Sequence, residues 1–296
     1  MVNARTIANL MRVRQWYKNV IIFLPLVFSL EFFDQHKFIL TLLGFIALST
    51  ISSAMYVRND IKDINQDRAH PLKKLRPLPA DKIKVGQAWV LFGILFAVGF
   101  AIGITLDTYF TVLIGIFFVN TEIYSRWTKN IIFLDAFAIG INFIVRAISG
   151  IVLLHTALSP WIILGVFFVA LFLAFTKRKA ELITLEQNAH EHRVTLKDYS
   201  FYSLNTALGI SAVMIIVTYS LYAIHGPTGD WRLILTVPFI IFVIFRQLHL
   251  SSINDKIAQT NEIFRDKHSL AALLIYATLT ILLLYMGRSD LFKGNF

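Results

Sequence analysis

Nine apolar stretches, each close to the length of a bilayer-spanning helix, constrain this chain more than any other feature. A helix needs ~20 mostly apolar residues to cross the hydrocarbon core. The stretches lie at 19–34, 38–57, 87–106, 108–124, 131–153, 159–176, 203–224, 231–248 and 269–287. Pro160 stands where the sixth would begin, and Pro238 predicts a kink in the eighth.

The composition agrees with a membrane location. The chain is 56% hydrophobic and 16% charged, whereas soluble domains are about 45–50% apolar and about 25% charged. We therefore predict an all-α, polytopic membrane protein that forms a single domain over residues 1–296, with nine transmembrane helices. The N-terminal residues, about 3–18, carry apolar side chains at helical spacing and predict a short interfacial helix.

Lysine and arginine are concentrated in alternate connections between these stretches. The basic connections are 1–18, 58–86, 125–130, 177–202 and 246–268. They hold 23 of the 28 Lys and Arg residues. This bias predicts that the basic side is cytoplasmic, with the N-terminus inside the cell and the C-terminus outside, in the cell (inner) membrane. The net charge of +10 is then explained by membrane orientation, and we expect no nucleic-acid partner.

Three aspartates follow the second stretch at helical spacing. If its helix continues, Asp60, Asp63 and Asp67 lie on one face. Asn59, four residues before Asp63, lies on the same face. Carboxylates this close repel one another unless a cation lies among them, and hard oxygen ligands suit Mg²⁺, which substrate phosphates commonly complete. The alternative is a solvated helix end with scattered charge. The spacing favours a magnesium site.

A basic segment comes directly after these carboxylates. Lys73, Lys74 and Arg76 lie between Pro71 and Pro77, and the two prolines end the helix and stiffen the turn. The cations are thereby held near the carboxylates. A site with metal ligands and cations suits a diphosphate, whose oxygens a metal bridges and whose remaining charge Lys and Arg balance.

Polar side chains also lie inside the fifth stretch. Asp135, Asn142 and Arg146 fall on one helix face, and ionisable residues within a span are functional candidates. The alternative is a buried pair that only fixes helix packing. The pattern favours a polar cavity that opens to the cytoplasm, with further donors from Tyr124, Arg126 and Lys129. Lys177, Arg178 and Lys179 are candidate phosphate ligands in the next basic connection, where His190 and His192 are interpreted as ordinary loop residues.

Several motifs together resemble one enzyme family. NDIKDINQD resembles the first aspartate-rich motif, NDxxDxxxD, of the UbiA superfamily of membrane prenyltransferases. Four further segments are similar to its decaprenyl-phosphate phosphoribosyltransferase branch. They are RQWYKN, the extended NDIKDINQDRAHPLKKLRP, YSRWTK with the LD and FIVRAISG that follow, and TKRKAEL. The motifs cover residues 11 to 202. The resemblance implies nine transmembrane helices, cytoplasmic aspartate-rich loops and Mg²⁺-bound diphosphate substrates.

The resemblance also implies roles for individual residues. The metal ligands would be Asn59, Asp60, Asp63, Asp67 and Asp135, and the three aspartates of the first motif would be catalytic. The substrate-binding residues would be Gln15, Lys18, Asn19, Lys73, Arg76, Tyr124, Lys129, Asn142, Arg146, Lys177 and Arg178. One position departs from many members, which carry a second pair DxxxD. Here the residue four positions after Asp135 is Ile139 instead of an aspartate, which favours a donor other than an isoprenyl diphosphate.

The expected reaction is Mg²⁺-dependent transfer of 5-phosphoribose from phosphoribosyl pyrophosphate to a polyprenyl phosphate, with release of pyrophosphate. Two alternatives remain open at this point. A UbiA-type prenyltransferase would use an isoprenyl diphosphate and an aromatic or other acceptor, and would give Arg146 no obvious role. A transporter for an anionic solute would also place Asp and Arg within spans, but it would not need a metal-binding stripe outside the bilayer.

Overall fold

The computed structural model describes residues 3–69, 73–157, 159–187, 199–227, 230–253 and 266–286. All regular structure in these residues is helical. The α-helices are α1 (Ala4–Leu10), α2 (Leu24–Phe28), α3 (Gln35–Lys62), α4 (Ile64–Ala69), α5 (Val85–Leu106), α6 (Thr108–Arg126), α7 (Leu134–Leu154), α8 (Pro160–Gln187), α9 (Phe201–His225), α10 (Val237–Ile253) and α11 (Lys267–Met286). Shorter 3₁₀ segments occur at Val13–Phe23, Lys73–Leu75, Thr128–Asn130 and Trp231–Thr236.

Seven helices in the described part are long and apolar enough to cross a membrane. They are Gln35–Lys62, Val85–Leu106, Leu134–Leu154, Pro160–Ile183, Phe201–His225, Trp231–Ser251 and Lys267–Tyr285. Seven of the nine predicted spans are thereby confirmed as apolar helices. The stretch 108–124 is also helical, as α6, but it is not among the seven. Its last turns are polar, from Asn120 to Arg126.

Two predictions about the N-terminal region are wrong. The stretch 19–34 is not one bilayer-length helix, because 3₁₀ structure ends at Phe23 and α2 ends at Phe28. The helix predicted over 3–18 is also shorter than expected and ends at Leu10. Arg12 then adopts the left-handed conformation, with φ 50° and ψ 47°, which breaks the helix before the 3₁₀ segment begins.

Two further details differ from expectation. α8 begins at Pro160, as predicted, but continues to Gln187. The sequence KRKAEL after the apolar stretch is rich in strong helix formers, so the basic residues 177–179 lie on the helix rather than in a loop. Pro238 lies inside the span Trp231–Ser251, where the chain changes from 3₁₀ to α geometry. It is the second residue of α10, a position in the first helical turn that tolerates proline.

The chain divides into two compact units. The first unit contains Met1–Leu26, Glu31–Arg126 and Val145–Thr156. Its interior has a cluster around Ile51, Phe110 and Ile114, and a second cluster in which Leu10 and Leu78 are buried. The second cluster packs the N-terminal helix and the segment after the basic turn in the same apolar core, so two sequence-distant basic segments are fixed in one unit.

The second unit contains Val27–Leu30, Trp127–Ile144 and Ala157–Phe296. One of its clusters is formed by buried side chains of α7, α8, α9 and α10, among them Phe175 and Leu208. The start of α11 is tied to α10 by Asp266, which accepts hydrogen bonds from Arg246 Nη2 at 2.9 Å and from Ser269 Oγ at 2.8 Å. These partners hold the pKa of the Asp266 carboxyl well below its usual range, with the Arg246 hydrogen bond as the main cause.

Candidate functional site

Two carboxylates of the aspartate-rich segment lie on either side of one guanidinium group. Arg76 Nη1 donates to Asp67 Oδ2 at 2.6 Å and to Asp60 Oδ1 at 3.3 Å. Both carboxylate side chains are only 3% exposed. Lys73 Nζ approaches Asp67 Oδ1 at 4.0 Å from a more exposed position. Lys73 and Arg76 of the basic turn therefore lie beside the aspartates, as the sequence predicts.

The third aspartate differs from the sequence expectation. α3 ends at Lys62, and Asp63 is its C-cap. The backbone pattern nevertheless continues, because Asp63 N donates to Asn59 O at 2.9 Å and Asp67 N donates to Asp63 O at 2.8 Å. In the described residues, no group of three or more His, Asp or Glu side chains lies close enough to hold a metal ion. The structure thus pairs Asp60 with Asp67 and leaves Asp63 outside that pair.

A second arginine contacts Asp60, and the sequence motifs did not single it out. Arg12 Nη2 donates to Asp60 Oδ1, and the Arg12 guanidinium lies 4.8 Å from the centre of the Tyr56 ring. Arg12 precedes the RQWYKN motif by two residues and faces Asp60 from a left-handed backbone conformation. Neither the contact nor the conformation has a local sequence signature, since the partner is 48 residues away.

The end of α3 is also fixed to α6. Ser125 Oγ donates to Asn59 Oδ1 at 3.1 Å, and Arg58 forms an ion pair with Glu122. These contacts orient the residue that precedes Asp60. Ser125 and Glu122 were not among the predicted site residues, although both lie in the polar last turns of α6.

A group of cations that includes Arg12 lies around the N-terminal motif in the first unit. Arg146 Nε donates to Asn19 Oδ1 at 2.6 Å, and Asn19 Nδ2 donates to Ser49 Oγ at 3.0 Å. Arg146 is 6% exposed and lies 4.6 Å from the centre of the Phe117 ring. Burial and the positive charges of Arg146 and Arg12 lower the pKa of Lys18 to about 8. The predicted ligands Lys18, Asn19 and Arg146 are therefore brought together.

A glycine permits this arrangement. A Cβ on Gly150 would collide with the backbone carbonyl of Ile22 and come within 3.1 Å of Pro25. The second half of α7 can therefore lie against the chain that follows RQWYKN only if residue 150 has no side chain. Trp16 anchors the same motif on α3, because its Nε1 donates to Ser53 Oγ at 2.9 Å.

Asp135 lies in the second unit with a tyrosine that the sequence analysis missed. Tyr199 Oη donates to Asp135 Oδ1 at 2.8 Å and accepts from Phe133 N at 2.8 Å. Burial, followed by the negative charge of Asp135, raises the pKa of the Tyr199 hydroxyl. Arg178 Nε lies 3.7 Å from Asp135 Oδ2, so this candidate phosphate ligand contacts the predicted metal ligand. No local sequence signal identifies Tyr199, because Asp135 is 64 residues away in the sequence.

Five further predicted residues lie in different elements and differ in exposure. Lys177 is exposed and approaches Glu181 at 4.0 Å. The remaining four are partly buried: Gln15 in the 3₁₀ segment Val13–Phe23, Tyr124 in α6, Lys129 in the 3₁₀ segment Thr128–Asn130, and Asn142 in α7. Pro71, His190 and His192 lie outside the described residues.

A family model decides the classification of this chain. The UbiA prenyltransferase family matches residues 20–265. The chain belongs to the UbiA prenyltransferase family. It is therefore a transferase rather than a transporter, and with seven apolar helices in its described part it is a multi-pass membrane protein. This membership confirms the resemblance seen in the aspartate-rich motif.

Relatives and solved structures agree with the UbiA assignment. A decaprenyl-phosphate phosphoribosyltransferase of Corynebacterium glutamicum is 29% identical over 79% of this chain and 73% of that protein. An uncharacterized protein of Sinorhizobium fredii, y4nM, is 34% identical over 58% of the chain, which spans only 33% of that longer protein. The structure of a UbiA homolog from Archaeoglobus fulgidus bound to DMAPP and Mg²⁺ has a TM-score of 0.71 and 14% identity, with 94% of this chain and 99% of that one covered. The last likeness establishes the fold.

Proposed function

We propose that this UbiA-family member transfers 5-phosphoribose from phosphoribosyl pyrophosphate to a polyprenyl phosphate and releases pyrophosphate. Relatives named decaprenyl-phosphate phosphoribosyltransferase cover most of the chain, and RQWYKN and FIVRAISG are the motifs that resemble that branch. We also propose that the protein lies in the cell's inner membrane with its N-terminus in the cytoplasm, because the basic connections hold most of the lysine and arginine.

The observation that carries the proposal is the gathering of cations in the first unit. Lys18 loses so much proton affinity, to a pKa of about 8, because it is buried beside the positive charges of Arg146 and Arg12. Cations held this close together repel one another. A phosphate group would relieve that repulsion and accept charge-assisted hydrogen bonds. Two phosphorylated substrates need such cation density, whereas an uncharged aromatic acceptor does not.

The carboxylates fit a divalent cation whose coordination is completed by the substrate. Mg²⁺ is usually held by one or two carboxylates together with waters and substrate phosphates. Asp60 and Asp67 supply two buried carboxylates close enough to contact one Arg76 nitrogen. Asn59 and Asp63 lie in the same segment. Asp135 remains a predicted metal ligand on the strength of the family motif. When bound, Mg²⁺ would neutralise charge on the leaving pyrophosphate.

The residues of the chain then have distinct tasks. Arg76 and Lys73 lie beside the carboxylates and would bind diphosphate oxygens. As the bond between ribose C1 and the pyrophosphate oxygen breaks, the electron pair leaves with pyrophosphate. The new bond joins C1 to an oxygen of the polyprenyl phosphate, which is already anionic at neutral pH. No general base is required, so the groups near Lys18 and Arg146 need only bind and orient phosphate.

The purified chain should release pyrophosphate from phosphoribosyl pyrophosphate only when a polyprenyl phosphate is also present. We expect excess chelator to stop the release and added Mg²⁺ to restore it. Pyrophosphate is measured in detergent with each substrate omitted in turn. Release without the lipid acceptor, or full turnover in excess chelator, would contradict the proposal.

A further inference from the structure

One cationic nitrogen of Arg76 stands between the two carboxylates assigned to the metal. Arg76 Nη1 lies 2.6 Å from Asp67 Oδ2 and 3.3 Å from Asp60 Oδ1. A guanidinium that donates to both carboxylates occupies lone pairs that a metal ion would also use. Arg76 therefore acts as a counter-ion to the same two carboxylates that, on the proposed function, bind the divalent cation.

Arg12, from the N-terminal segment, makes the same kind of contact. Its Nη2 donates to Asp60 Oδ1, the oxygen that Arg76 also contacts. Its backbone has φ 50° and ψ 47°, a region that residues other than glycine, asparagine and aspartate rarely adopt. Strained positions persist only where surrounding contacts determine them, and they cluster at functional sites. Here the ring of Tyr56, 4.8 Å from the guanidinium carbon, is one such contact.

A metal ion that used the same carboxylate oxygens would compete with both arginines for them. The buried carboxylates of Asp60 and Asp67 repel each other, and the guanidinium groups relieve that repulsion. A divalent cation at the same oxygens would be repelled by the arginines while they stay. A diphosphate that arrives with the cation offers new acceptors for the displaced guanidinium groups, which suit phosphate geometry.

We propose that Arg76 and Arg12 are built-in counter-ions that compete with the metal for Asp60 and Asp67. The site then takes up a divalent cation tightly only together with a diphosphate, to which the arginines transfer. The inference rests on the proposed function, because that function places the metal at these carboxylates. Linkage makes the coupling reciprocal, so the metal strengthens diphosphate binding by the same factor.

The test measures the affinity of the full chain in detergent for Mn²⁺, which serves as a probe for the metal. Affinity is compared at matched free Mn²⁺, with and without inorganic pyrophosphate. Without pyrophosphate, Arg76→Gln and Arg12→Gln should each bind Mn²⁺ roughly ten- to a hundredfold more tightly than the unmodified chain, the equivalent of one charge-assisted hydrogen bond. Pyrophosphate should raise Mn²⁺ affinity strongly in the unmodified chain and much less in Arg76→Gln.

Arg68→Gln is the matched control, because Arg68 lies in the same segment but pairs with Asp81, whose side chain is 78% exposed. It should leave Mn²⁺ affinity unchanged. Thermal unfolding in the same detergent shows which variants are folded. If Arg76→Gln does not fold, Arg12→Gln still tests the inference, because it keeps the contacts of Arg76 with both carboxylates.

Two negative outcomes are distinguishable. Folded Arg76→Gln and Arg12→Gln proteins that bind Mn²⁺ no more tightly than the unmodified chain would overturn the counter-ion inference and leave the metal site intact. Absence of Mn²⁺ binding in every variant, with or without pyrophosphate, would overturn the metal site of the proposed function and the inference with it.

Discussion

Replacement of Asp60 or Asp67 by asparagine is expected to lower turnover by about three orders of magnitude. A metal ion at a phosphoryl oxygen stabilises transition-state charge by several kcal/mol, and each 1.36 kcal/mol corresponds to tenfold in rate. Asparagine keeps the shape and one oxygen of each side chain but removes the negative charge. It also leaves Arg76 with one carboxylate partner instead of two.

Initial rates at saturating Mg²⁺ and both substrates measure this effect. Asp81→Asn is a suitable control, because Asp81 is a highly exposed aspartate that pairs with Arg68 rather than with Arg76. Loss of a buried ion-pair partner is destabilising, by ~3–5 kcal/mol, so rates are compared only among variants that remain folded at the assay temperature. A folded Asp60→Asn protein that kept more than a tenth of the rate would contradict a metal-binding role.

Arg146→Met is expected to lower activity by roughly ten- to a hundredfold, the effect of one charge-assisted hydrogen bond of ~1.5–3 kcal/mol. The stability change should be small, because two contributions oppose each other. Asn19 loses the donor that lies at 2.6 Å, which costs ~1–3 kcal/mol. Removal of a charge from the middle of an apolar helix recovers ~2.5–3.5 kcal/mol on insertion scales.

Arg146→Lys separates charge from geometry. Lysine retains the positive charge but lacks the planar, two-pronged group that fits phosphate, so its activity should lie between those of the methionine variant and the unmodified chain. Initial rates and thermal unfolding are measured in one detergent. Full activity of Arg146→Met would show that the residue binds no substrate. Ready unfolding of that variant would show that its role is structural.

The long apolar stretches of the sequence were sufficient to predict most of the helices. Burial in lipid is a local requirement, so a stretch such as 203–224 can be recognised without knowledge of its neighbours, and α9 confirms it. The stretch 19–34 could not be resolved in this way. Its apolar side chains are accounted for by a 3₁₀ segment and the short α2, packed around residues such as Ile22, which is fully buried.

The site was predictable where residues close together in the sequence determined it. The spacing of Asp60 and Asp67 predicted that the two carboxylates would face the same way. The prolines on either side of the basic segment predicted that Arg76 would lie near them. Arg12 and Tyr199 were not predictable, because each meets its carboxylate across 48 or 64 residues of sequence. Such contacts depend on tertiary packing, which no local spacing encodes.

Donor identity is the most direct test of the proposed reaction. The purified chain is reconstituted with a polyprenyl phosphate, Mg²⁺ and an aromatic acceptor, and is given phosphoribosyl pyrophosphate and an isoprenyl diphosphate together. Mass spectrometry of the extracted products shows which bond has formed. We expect the polyprenyl phosphate to gain a phosphoribosyl group while the isoprenyl diphosphate is unchanged. A prenylated acceptor, with the polyprenyl phosphate unmodified and the sugar donor intact, would contradict this account.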